Sequence, residues 1–329
     1  MTKASIHRFS NRLHQKLGLG TWQLGGPNIV QGKAMGWGEI SEEESLAILS
    51  AAFEAGIQFI DTADSYGKGL SEIIVGKALR EVSYPQDIIV CTKFGNVYLS
   101  DGTTGQDFSP EHLFASVKAS LQRLQREHID VLLLHSPPDN FDWANYDRAP
   151  FEDLVSQGLI RQYGVSSKSV YGAKRVMDAG FGSVIEVIYN ALDRRVDEIL
   201  RSHPHQAAYD IIGRVPLGSG FLSDRLLTED PQFGEDDYRS HMAYRDKNWM
   251  VENARKLAFL ADLPGGLSAN ALRFTLQSPN ISVVIPGARS VAQVQSNVLA
   301  ANLPALSEAY IHRIEQSVPS VPDWWKPSK

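Results

Sequence analysis

Eight short apolar runs rich in β-branched residues recur along this chain of 329 residues, and a segment with helical spacing follows each of them. Strands that alternate with helices indicate βαβ units and a parallel sheet. Eight such units close naturally into a barrel, whereas a doubly wound sheet usually stops at five or six strands. The runs occupy residues 17–20, 58–61, 88–93, 129–135, 162–165, 183–188, 208–213 and 282–286. The pattern predicts the α/β class and a (β/α)8 TIM barrel with long βα loops.

Serines in capping positions mark the starts of several predicted helices. Ser41 is followed three residues later by Glu44, which is the capping-box pattern. Ser109 precedes a proline and an acidic residue, the order expected for an N-cap and a first helical turn. Ser169 and Ser290 can cap two later helices. These signals place helix starts between the strands, as a repeated βα unit requires.

The length of the chain allows two domains of roughly 150 residues or one large α/β barrel. No Gly/Ser linker, charge run or shift in composition divides the sequence. We therefore expect a single barrel domain that spans residues 1–329.

Three stretches fall outside the repeated pattern. Residues 1–16 are expected to form a short N-terminal β-hairpin ahead of the first strand. The long interval 213–282 is expected to supply a βα loop on the active-site face. Residues 318–329 form a C-terminal tail with adjacent Trp324 and Trp325, which we expect to dock on the body or on a partner subunit.

The charge balance argues against several classes of partner. The chain has 38 acidic and 32 basic residues and a net charge of −6, which disfavours nucleic acid and anionic membrane surfaces. No apolar run is long enough to span a membrane, and the polar N-terminal segment lacks the features of a secretory signal. A single cysteine, Cys91, cannot form an intramolecular disulfide and fits a reducing compartment. We expect a cytoplasmic protein.

Polar residues end three consecutive predicted strands, where the chemistry of a barrel enzyme is found. Asp61 ends the second strand and Tyr66 follows in its loop, while Lys93 and His135 end the third and fourth. Taken alone, each residue also fits a purely structural role, such as a helix cap, a solvated lysine, a turn histidine or a packing tyrosine. Because all four fall on consecutive βα units, we expect them to converge at the barrel mouth.

Together these four side chains suit the protonation of a carbonyl oxygen. An unperturbed tyrosine has a pKa near 10 and is a sluggish acid at neutral pH. A buried Lys93 ammonium, held by Asp61, is expected to lower the Tyr66 pKa by roughly three units, which corresponds to about 4 kcal/mol. Tyr66 would then act as a general acid as hydride reaches the carbonyl carbon, and His135 would orient the oxygen.

Six short motifs of the sequence resemble those of a known enzyme superfamily. They are LGLGTW at 17–22, DTADSYG at 61–67, TKFG at 92–95, LHSP at 134–137, GVSS at 164–167 and IPGAR at 285–289. In these motifs the chain resembles the aldo-keto reductase superfamily, and its bacterial and channel-subunit branch in particular. The resemblance implies that Asp61, Tyr66, Lys93 and His135 are the catalytic tetrad. It also implies an NADP(H) or, less often, NAD(H) cofactor and no metal.

The resemblance further implies a set of cofactor contacts. Ser167 and Glu186 stand where the family usually has an asparagine and a glutamine that hold the nicotinamide carboxamide, and Tyr189 matches the aromatic residue that stacks on the ring. The full set is Gly20, Thr21, Trp22, Asp61, Ser166, Ser167, Glu186, Tyr189, Pro216, Leu217, Ser219, Gly220, Arg225, Ile285, Gly287, Ala288, Arg289, Gln293 and Asn297.

Arg289 adds a cofactor preference to this set. It precedes a helix whose N-terminus offers free N–H groups and positive potential to a phosphate. Its planar guanidinium suits the adenosine 2′-phosphate. We therefore expect NADP(H) to be preferred over NAD(H), with a solvated surface arginine as the alternative.

Aromatic residues near the predicted βα loops alternate with polar ones. Such a mixture suits a sugar-like or polyhydroxylated carbonyl, which needs stacking and hydrogen bonds together; packing of a lid is the alternative. The expected substrate contacts are Trp22, Trp37, Tyr66, Tyr98, His135 and Trp143.

The sequence thus predicts an NADP(H)-dependent reductase of a small-molecule aldehyde or ketone. One alternative is a regulatory subunit that binds the cofactor with little turnover, as in the channel-associated relatives. Another is a metal-dependent barrel hydrolase or isomerase, which would need His, Asp and Glu clusters at several strand ends. His203 and His205 are separated by a proline and lack an acid pair, so we expect no metal site there. Homo-oligomerisation stays open.

Overall fold

The computed structural model describes residues 8–81, 87–318, 321–322 and 325, and its centre is a sheet of eight parallel strands. The strands are β1 (Leu19–Gly20), β2 (Phe59–Asp61), β3 (Ile89–Phe94), β4 (Ile129–His135), β5 (Ile160–Ser166), β6 (Val184–Ile188), β7 (Asp210–Arg214) and β8 (Val283–Ile285), and they lie side by side in chain order. Parallel bridges from Leu17 to Val284 and from Gly20 to Gly287 join β8 back to β1. The predicted (β/α)8 barrel is confirmed.

Helices surround the sheet and connect its strands. They are α1 (Glu42–Glu54), α2 (Leu70–Glu81), α3 (Pro110–Leu124), α4 (Ala149–Ser156), α5 (Val170–Ala179), α6 (Arg195–Ile199), α7 (Tyr244–Arg255), α8 (Gly266–Leu276), α9 (Val291–Asn302) and α10 (Glu308–Ser317). The side chains of Ser41, Ser109, Ser169 and Ser290 each accept a hydrogen bond from a first-turn N–H group, so all four predicted caps are confirmed. None of the helices in the described ranges is both long and apolar enough to cross a membrane.

Alternate residues of the strands point to two different cores. Phe59, Cys91 and Leu133 lie in the barrel interior, whereas their neighbours Ile60 and Leu132 pack outward against the helices. Because side chains alternate along a strand, the residues two positions further along point into the mouth of the barrel. Those positions carry the polar groups of the site.

The N-terminal segment closes the opposite end of the barrel. Residues 1–7 of the predicted hairpin lie outside the described residues, and residues Phe9–Arg12 form a 3-10 helix, so the hairpin prediction is wrong for the part that can be seen. The reason is that side chains of the barrel strands, rather than a second strand of a hairpin, accept the hydrogen bonds of this segment. The Phe9 N–H donates to Gln162 Oε1 at 2.8 Å, the Ser10 hydroxyl donates to Asp210 Oδ1 at 2.6 Å, and the Phe9 ring is 1% exposed.

Two short hairpins stand at the mouth of the barrel, and the sequence pattern did not predict them. One pairs Ile29–Val30 with Lys33–Ala34, and the other pairs Asn96–Tyr98 with Thr104–Gln106. Asn28 Nδ2 donates to Tyr98 Oη at 2.6 Å, which joins the two hairpins.

The long interval after β7 contains three 3-10 turns and then α7. The turns are Gly218–Gly220, Asp224–Leu227 and Tyr238–His241. In the C-terminal tail, Trp325 packs against Trp249 and its indole N–H donates to Asp246 at 2.9 Å. Trp324 lies outside the described residues.

Candidate active site

The C-terminal strand ends bring Asp61, Tyr66, Lys93 and His135 together, and we call these four residues the tetrad. Asp61 is the last residue of β2 and His135 the last of β4, and Lys93 projects from β3 between them. Lys93 Nζ donates to both Asp61 carboxylate oxygens at 2.7 Å and lies 3.4 Å from Tyr66 Oη. The Tyr66 and His135 rings meet edge to face with centroids 5.7 Å apart. A phenol and an imidazole therefore face one point in the mouth.

Lys93 is fully buried and lies between two carboxylates. Besides Asp61, its ammonium donates to the carbonyl of Thr62 at 2.9 Å and lies 3.4 Å from Glu186 Oε2. Within the described ranges, Asp61, Cys91 and Glu186 are the only three residues whose ligand atoms cluster as a metal site requires. The ammonium already supplies the positive charge at that place. Burial alone lowers the Lys93 pKa, but the two carboxylates raise it well above its usual value, so the lysine stays charged.

The Tyr66 pKa does not follow the prediction. Burial raises it well above the usual value of a phenol, and the opposing effect of the Lys93 ammonium is smaller. Asp61 and Glu186 raise it further, because their negative charges oppose a phenolate. The expected lowering by roughly three units is wrong. Tyr66 keeps its proton over the whole physiological pH range.

His135 is neutral in this environment. Burial, followed by the positive charges of Lys93 and Arg214, holds the pKa of its imidazole well below the usual range. Ser65 Oγ lies 3.2 Å from His135 Nδ1. When this hydroxyl donates to Nδ1, the ring proton sits on Nε2, and the ring becomes a hydrogen-bond donor on its other side.

One cavity of about 520 Å³ runs from the tetrad to the first turn of α9. Most of the predicted contacts line it: Gly20, Trp22, Trp37, Asp61, Tyr66, His135, Ser166, Glu186, Pro216, Leu217, Ser219, Gly220, Ile285, Gly287, Ala288, Arg289, Gln293 and Asn297. The residues predicted for the two ends of a dinucleotide therefore face a single continuous space.

Six predicted contacts do not line this cavity. Thr21 is buried below it and donates to the carbonyl of Asp61, and the Ser167 hydroxyl donates to the carbonyl of Ser169. Tyr189 is 2% exposed, stacks on Phe274 and donates to Asp197, so its ring packs between the barrel and α8. The remaining three are Arg225, Tyr98 and Trp143.

Those three contacts have partners elsewhere. The Arg225 side chain is 68% exposed and pairs with Glu229 at 2.6 Å. Tyr98 donates to the carbonyl of Ser65 at 3.0 Å and so supports the loop that carries Tyr66. Trp143 is buried between Phe141 and Phe181 under the fourth βα loop, so its predicted substrate contact is wrong.

Several lining residues were missed, and the most informative is Arg214. It is the last residue of β7, its Nη2 donates to the carbonyl of Ser167 at 3.2 Å, and its Nε lies 3.7 Å from Glu186 Oε1. The strand-end argument that found the tetrad would have found Arg214 had it been extended to β7. The other missed residues are Gln23, Ser136, Val215, Ser223, Arg239, Ser268, Pro286 and Ser296.

Two loops meet across the cavity, and we call residues 36–38 and 236–238 the mouth bridge. The Tyr238 N–H donates to the carbonyl of Gly36 at 3.0 Å, and Trp37 pairs with Asp237 as an antiparallel bridge. The rings of Trp22, Trp37 and Tyr238 pack together with centroids 4.7–5.5 Å apart. The first and seventh βα loops therefore form one continuous edge.

Arg289 fastens the mouth bridge to α9. Its guanidinium donates to the carbonyls of Trp37 and, at 2.7 Å, of Glu39. In the part of the chain that the structure describes it makes no ion pair within 4 Å, and its charge contributes to lowering the pKa of the exposed Glu44 carboxyl. Arg289 thus lies at the end of the cavity as predicted, but two of its donors are already in use.

Comparisons with known proteins find matches over most of the chain. The family model described as "Aldo/keto reductase family" matches residues 16–319. The "Uncharacterized oxidoreductase YqkF" of Bacillus subtilis is 31% identical over 279 residues, which cover 83% of this chain and 87% of that protein. The "NADH-specific methylglyoxal reductase" of Escherichia coli is 29% identical over 308 residues, or 88% and 90% of the two chains. The solved holo form of aldo-keto reductase AKR11C1 from Bacillus halodurans superposes with a TM-score of 0.75 at 28% identity, covering 93% of each chain.

Proposed function

The chain belongs to the aldo/keto reductase family, and we propose that within it this protein reduces an aldehyde or ketone to an alcohol. The observation that carries the proposal is the contact of Tyr66 with a buried Lys93–Asp61 ion pair beside a neutral His135. This arrangement offers a proton and a second hydrogen-bond donor to one oxygen atom. The Lys93 ammonium already lies between the two carboxylates that a metal ion would need, so the arrangement suits the protonation of a carbonyl oxygen better than metal-assisted hydrolysis.

The roles of the four side chains follow from their charges. A nicotinamide, when bound, supplies the hydride that the carbonyl carbon receives. Tyr66 gives its proton to the oxygen as negative charge develops there, because an alkoxide is more basic even than a buried phenolate. Lys93 then faces the new phenolate at close range and stabilises it. His135 holds the oxygen in place by donating from Nε2.

Three features of the cavity support a nicotinamide dinucleotide as the cofactor. Beside the tetrad, Glu186 Oε2 is a buried acceptor with no hydrogen-bond donor in the described residues, which suits the N–H of a carboxamide. In the middle, Ser219 and Gly220 line the cavity with a short side chain and none, which lets an anion such as a pyrophosphate approach the backbone. At the far end, the first turn of α9 provides positive potential for a phosphate.

We further propose NADP(H) as the preferred cofactor because the charged Arg289 lines the far end of the cavity. The Escherichia coli relative carries the description NADH-specific, so the preference needs a direct test. Dissociation constants of NADPH and NADH would be measured for wild type and Arg289→Ala. We expect the variant to weaken NADPH about tenfold or more and NADH much less. An unchanged ratio of the two constants would remove Arg289 from cofactor selection.

For the substrate we propose a sugar-like or otherwise polyhydroxylated carbonyl. The support is that the indoles of Trp22 and Trp37 line the cavity beside Tyr66, together with the polar Ser136. The test is a panel of hydroxyaldehydes, methylglyoxal and flat aromatic ketones, compared by kcat/KM. A clear preference for the apolar ketones would overturn the proposed substrate class while leaving the reaction intact.

The reaction itself is tested by the loss of reduced-cofactor absorbance with that panel, in wild type and in Tyr66→Phe. We expect wild-type turnover and a loss of roughly 10²–10⁴-fold in kcat in the variant, with cofactor affinity kept within about twofold. Cofactor binding without turnover in wild type would favour the regulatory-subunit alternative. A protein that binds neither cofactor would overturn both readings.

A further inference from the structure

The site holds a second buried carboxylate whose charge the proposed reaction does not need. Glu186 lies in the middle of β6 and is 1% exposed. Its Oε1 accepts a hydrogen bond from Ser166 Oγ at 2.9 Å, a contact that a neutral glutamine would make equally well. Its Oε2 has no hydrogen-bond donor in the described residues and lies 3.4 Å from Lys93 Nζ. Burying a charge is costly unless the charge interacts with another.

Arg214 provides part of that compensation from the neighbouring strand. Strands β6 and β7 run in parallel register, and Arg214 Nε lies 3.7 Å from Glu186 Oε1. The charges in the mouth therefore alternate in the order Asp61, Lys93, Glu186, Arg214. The formal sum of the four is zero. Neutralising Glu186 leaves a net positive charge beside Tyr66, and neutralising Arg214 leaves a net negative one.

We propose that Glu186 is a positioning residue that acts as the second counter-ion of Lys93 and so adds to the effect of burial in keeping the proton on Tyr66 between turnovers, with Arg214 limiting its effect. The inference rests on the proposed function, in which Tyr66 must be protonated before it can donate. A single carboxylate would leave the Lys93 charge directed mainly at the phenol oxygen and would favour the phenolate. When two carboxylates lie against the Lys93 ammonium, they compensate its charge more fully, and the ammonium stabilises a Tyr66 phenolate less.

Several other titratable groups surround Tyr66. Asp61 and Lys93 lie beside it on β2 and β3 and His135 on β4, Asp64 lies in its own loop, and Cys91 lies deeper in the barrel interior. The directions agree with the proposal, since the Glu186 charge raises the pKa of both Tyr66 and Lys93. At an effective dielectric of about 20, one charge about 7 Å away changes such an equilibrium by about two pH units.

The direct test is NMR of protein labelled with ¹³C at the tyrosine Cζ, with the Tyr66 signal assigned from Tyr66→Phe. In wild type without ligands we expect the Tyr66 resonance to stay at its phenol position up to pH 11. In Glu186→Gln, which preserves size and the contact with Ser166, we expect ionisation to begin at least one pH unit lower. Arg214→Gln removes a positive charge instead of a negative one. In this variant Tyr66 should therefore ionise at a pH no lower than in wild type. Asp64→Asn is the matched control, because it removes a neighbouring carboxyl that does not contact the ammonium.

A kinetic measurement gives a second readout. In alcohol oxidation with saturating oxidised cofactor, kcat/KM rises with pH as Tyr66 ionises, and we expect this rise to begin about one pH unit lower in Glu186→Gln. Coincident Tyr66 titrations in wild type and Glu186→Gln would overturn the proposal, whatever the activity. A protein without reductase activity that still shows the shifted titration would instead overturn the proposed function and leave the electrostatic role of Glu186 standing.

Discussion

The hydroxyl of Ser65 contacts the imidazole of His135, the one side chain of the tetrad that can exist in two neutral tautomers. Its oxygen lies 3.2 Å from His135 Nδ1, and His135 is neutral. A neutral imidazole has one N–H, and the partner of one ring nitrogen decides what the other can do. When the Ser65 hydroxyl donates to Nδ1, it favours the tautomer whose Nε2–H can donate toward the substrate oxygen.

Ser65→Ala should consequently lower kcat/KM for carbonyl reduction by about 3–10-fold, the effect of one hydrogen bond of ordinary strength. Cofactor affinity should stay within about twofold, because Ser65 does not line the cavity. Ser65→Thr restores the hydroxyl and should recover most of the loss. Equal activity of wild type and Ser65→Ala would show that the tautomer is set without this contact.

Asp64 is a second residue whose burial has a measurable cost. Burial and the nearby Glu72 raise its pKa to about 8, and Oδ1 has no hydrogen-bond partner in the described residues. An unfolded aspartate ionises near pH 4, so between about pH 4 and pH 8 the folded protein holds a proton that the unfolded chain has lost. The free energy of unfolding therefore falls as pH rises through this window and stays reduced above it.

Asp64→Asn removes that ionisation and should stabilise the fold most at alkaline pH. We expect a gain in Tm of roughly 2–4 °C at pH 8.5 and a smaller gain at pH 5, measured by calorimetry. A gain that is the same at both pH values would mean that the Asp64 carboxyl does not titrate in this window.

At this scale, the tetrad was predictable because strand ends in a barrel share one edge. The direction of the Tyr66 pKa was not, because it depends on how deeply the phenol is buried relative to its distance from Lys93. The orientation of the Tyr189 side chain could not be predicted either. Its position one residue after β6 is visible in the sequence, but whether the ring points into the mouth or toward α8 depends on the course of the chain after the strand.

Among the elements, the long helices and the strands were predictable from period and caps, whereas the mouth hairpins were not. Each hairpin strand has only two or three residues, too few to show a period. They are held by contacts far apart in sequence, such as Asn28 with Tyr98. The mouth bridge is of the same kind, since Gly36 and Tyr238 are joined by one backbone hydrogen bond.

Gly38 allows the close approach of the two loops in the mouth bridge. Its φ is +83°, and a Cβ there would lie 2.6 Å from the Asp236 carboxylate. Gly38→Ala should therefore loosen the bridge and raise the dissociation rate constant of the cofactor several-fold, as measured by stopped-flow fluorescence. Gly32→Ala is the matched control, because Gly32 has a φ of +73° and nothing within 4 Å of its Cβ position. Equal rates in both variants would show that the bridge does not limit release.

Across the whole molecule, the two ends of the barrel are closed by different means. The mouth carries the site and its loops, and the opposite end is sealed by Phe9, which lies against Phe59 with ring centroids 4.9 Å apart. The eightfold alternation of strands and helices predicted the barrel itself. It did not predict this seal, because a polar segment with one buried aromatic residue has no periodic signature.

Phe9→Ala should cost about 3–5 kcal/mol of folding stability, since it opens a cavity in the barrel interior. At 2–4 °C per kcal/mol the expected fall in Tm is roughly 10 °C, measured by calorimetry. Cofactor affinity of the folded variant should be unchanged, because the site is at the other end. Phe9→Leu should lose less than half as much. A Tm within about 2 °C of wild type in Phe9→Ala would mean that the N-terminal segment does not seal the barrel.

The partners of that seal also constrain how the chain is made. Arg8 binds Asp210, 202 residues later, and the Phe9 N–H binds Gln162, 153 residues later. At 5–20 residues per second, a ribosome needs roughly 10–40 s to add the residues that separate Arg8 from Asp210. Throughout that interval the Phe9 ring has no barrel to enter. This segment is therefore synthesised well before its partners but is among the last to reach its place, and the nascent chain carries an unprotected aromatic group until most of the barrel has been translated.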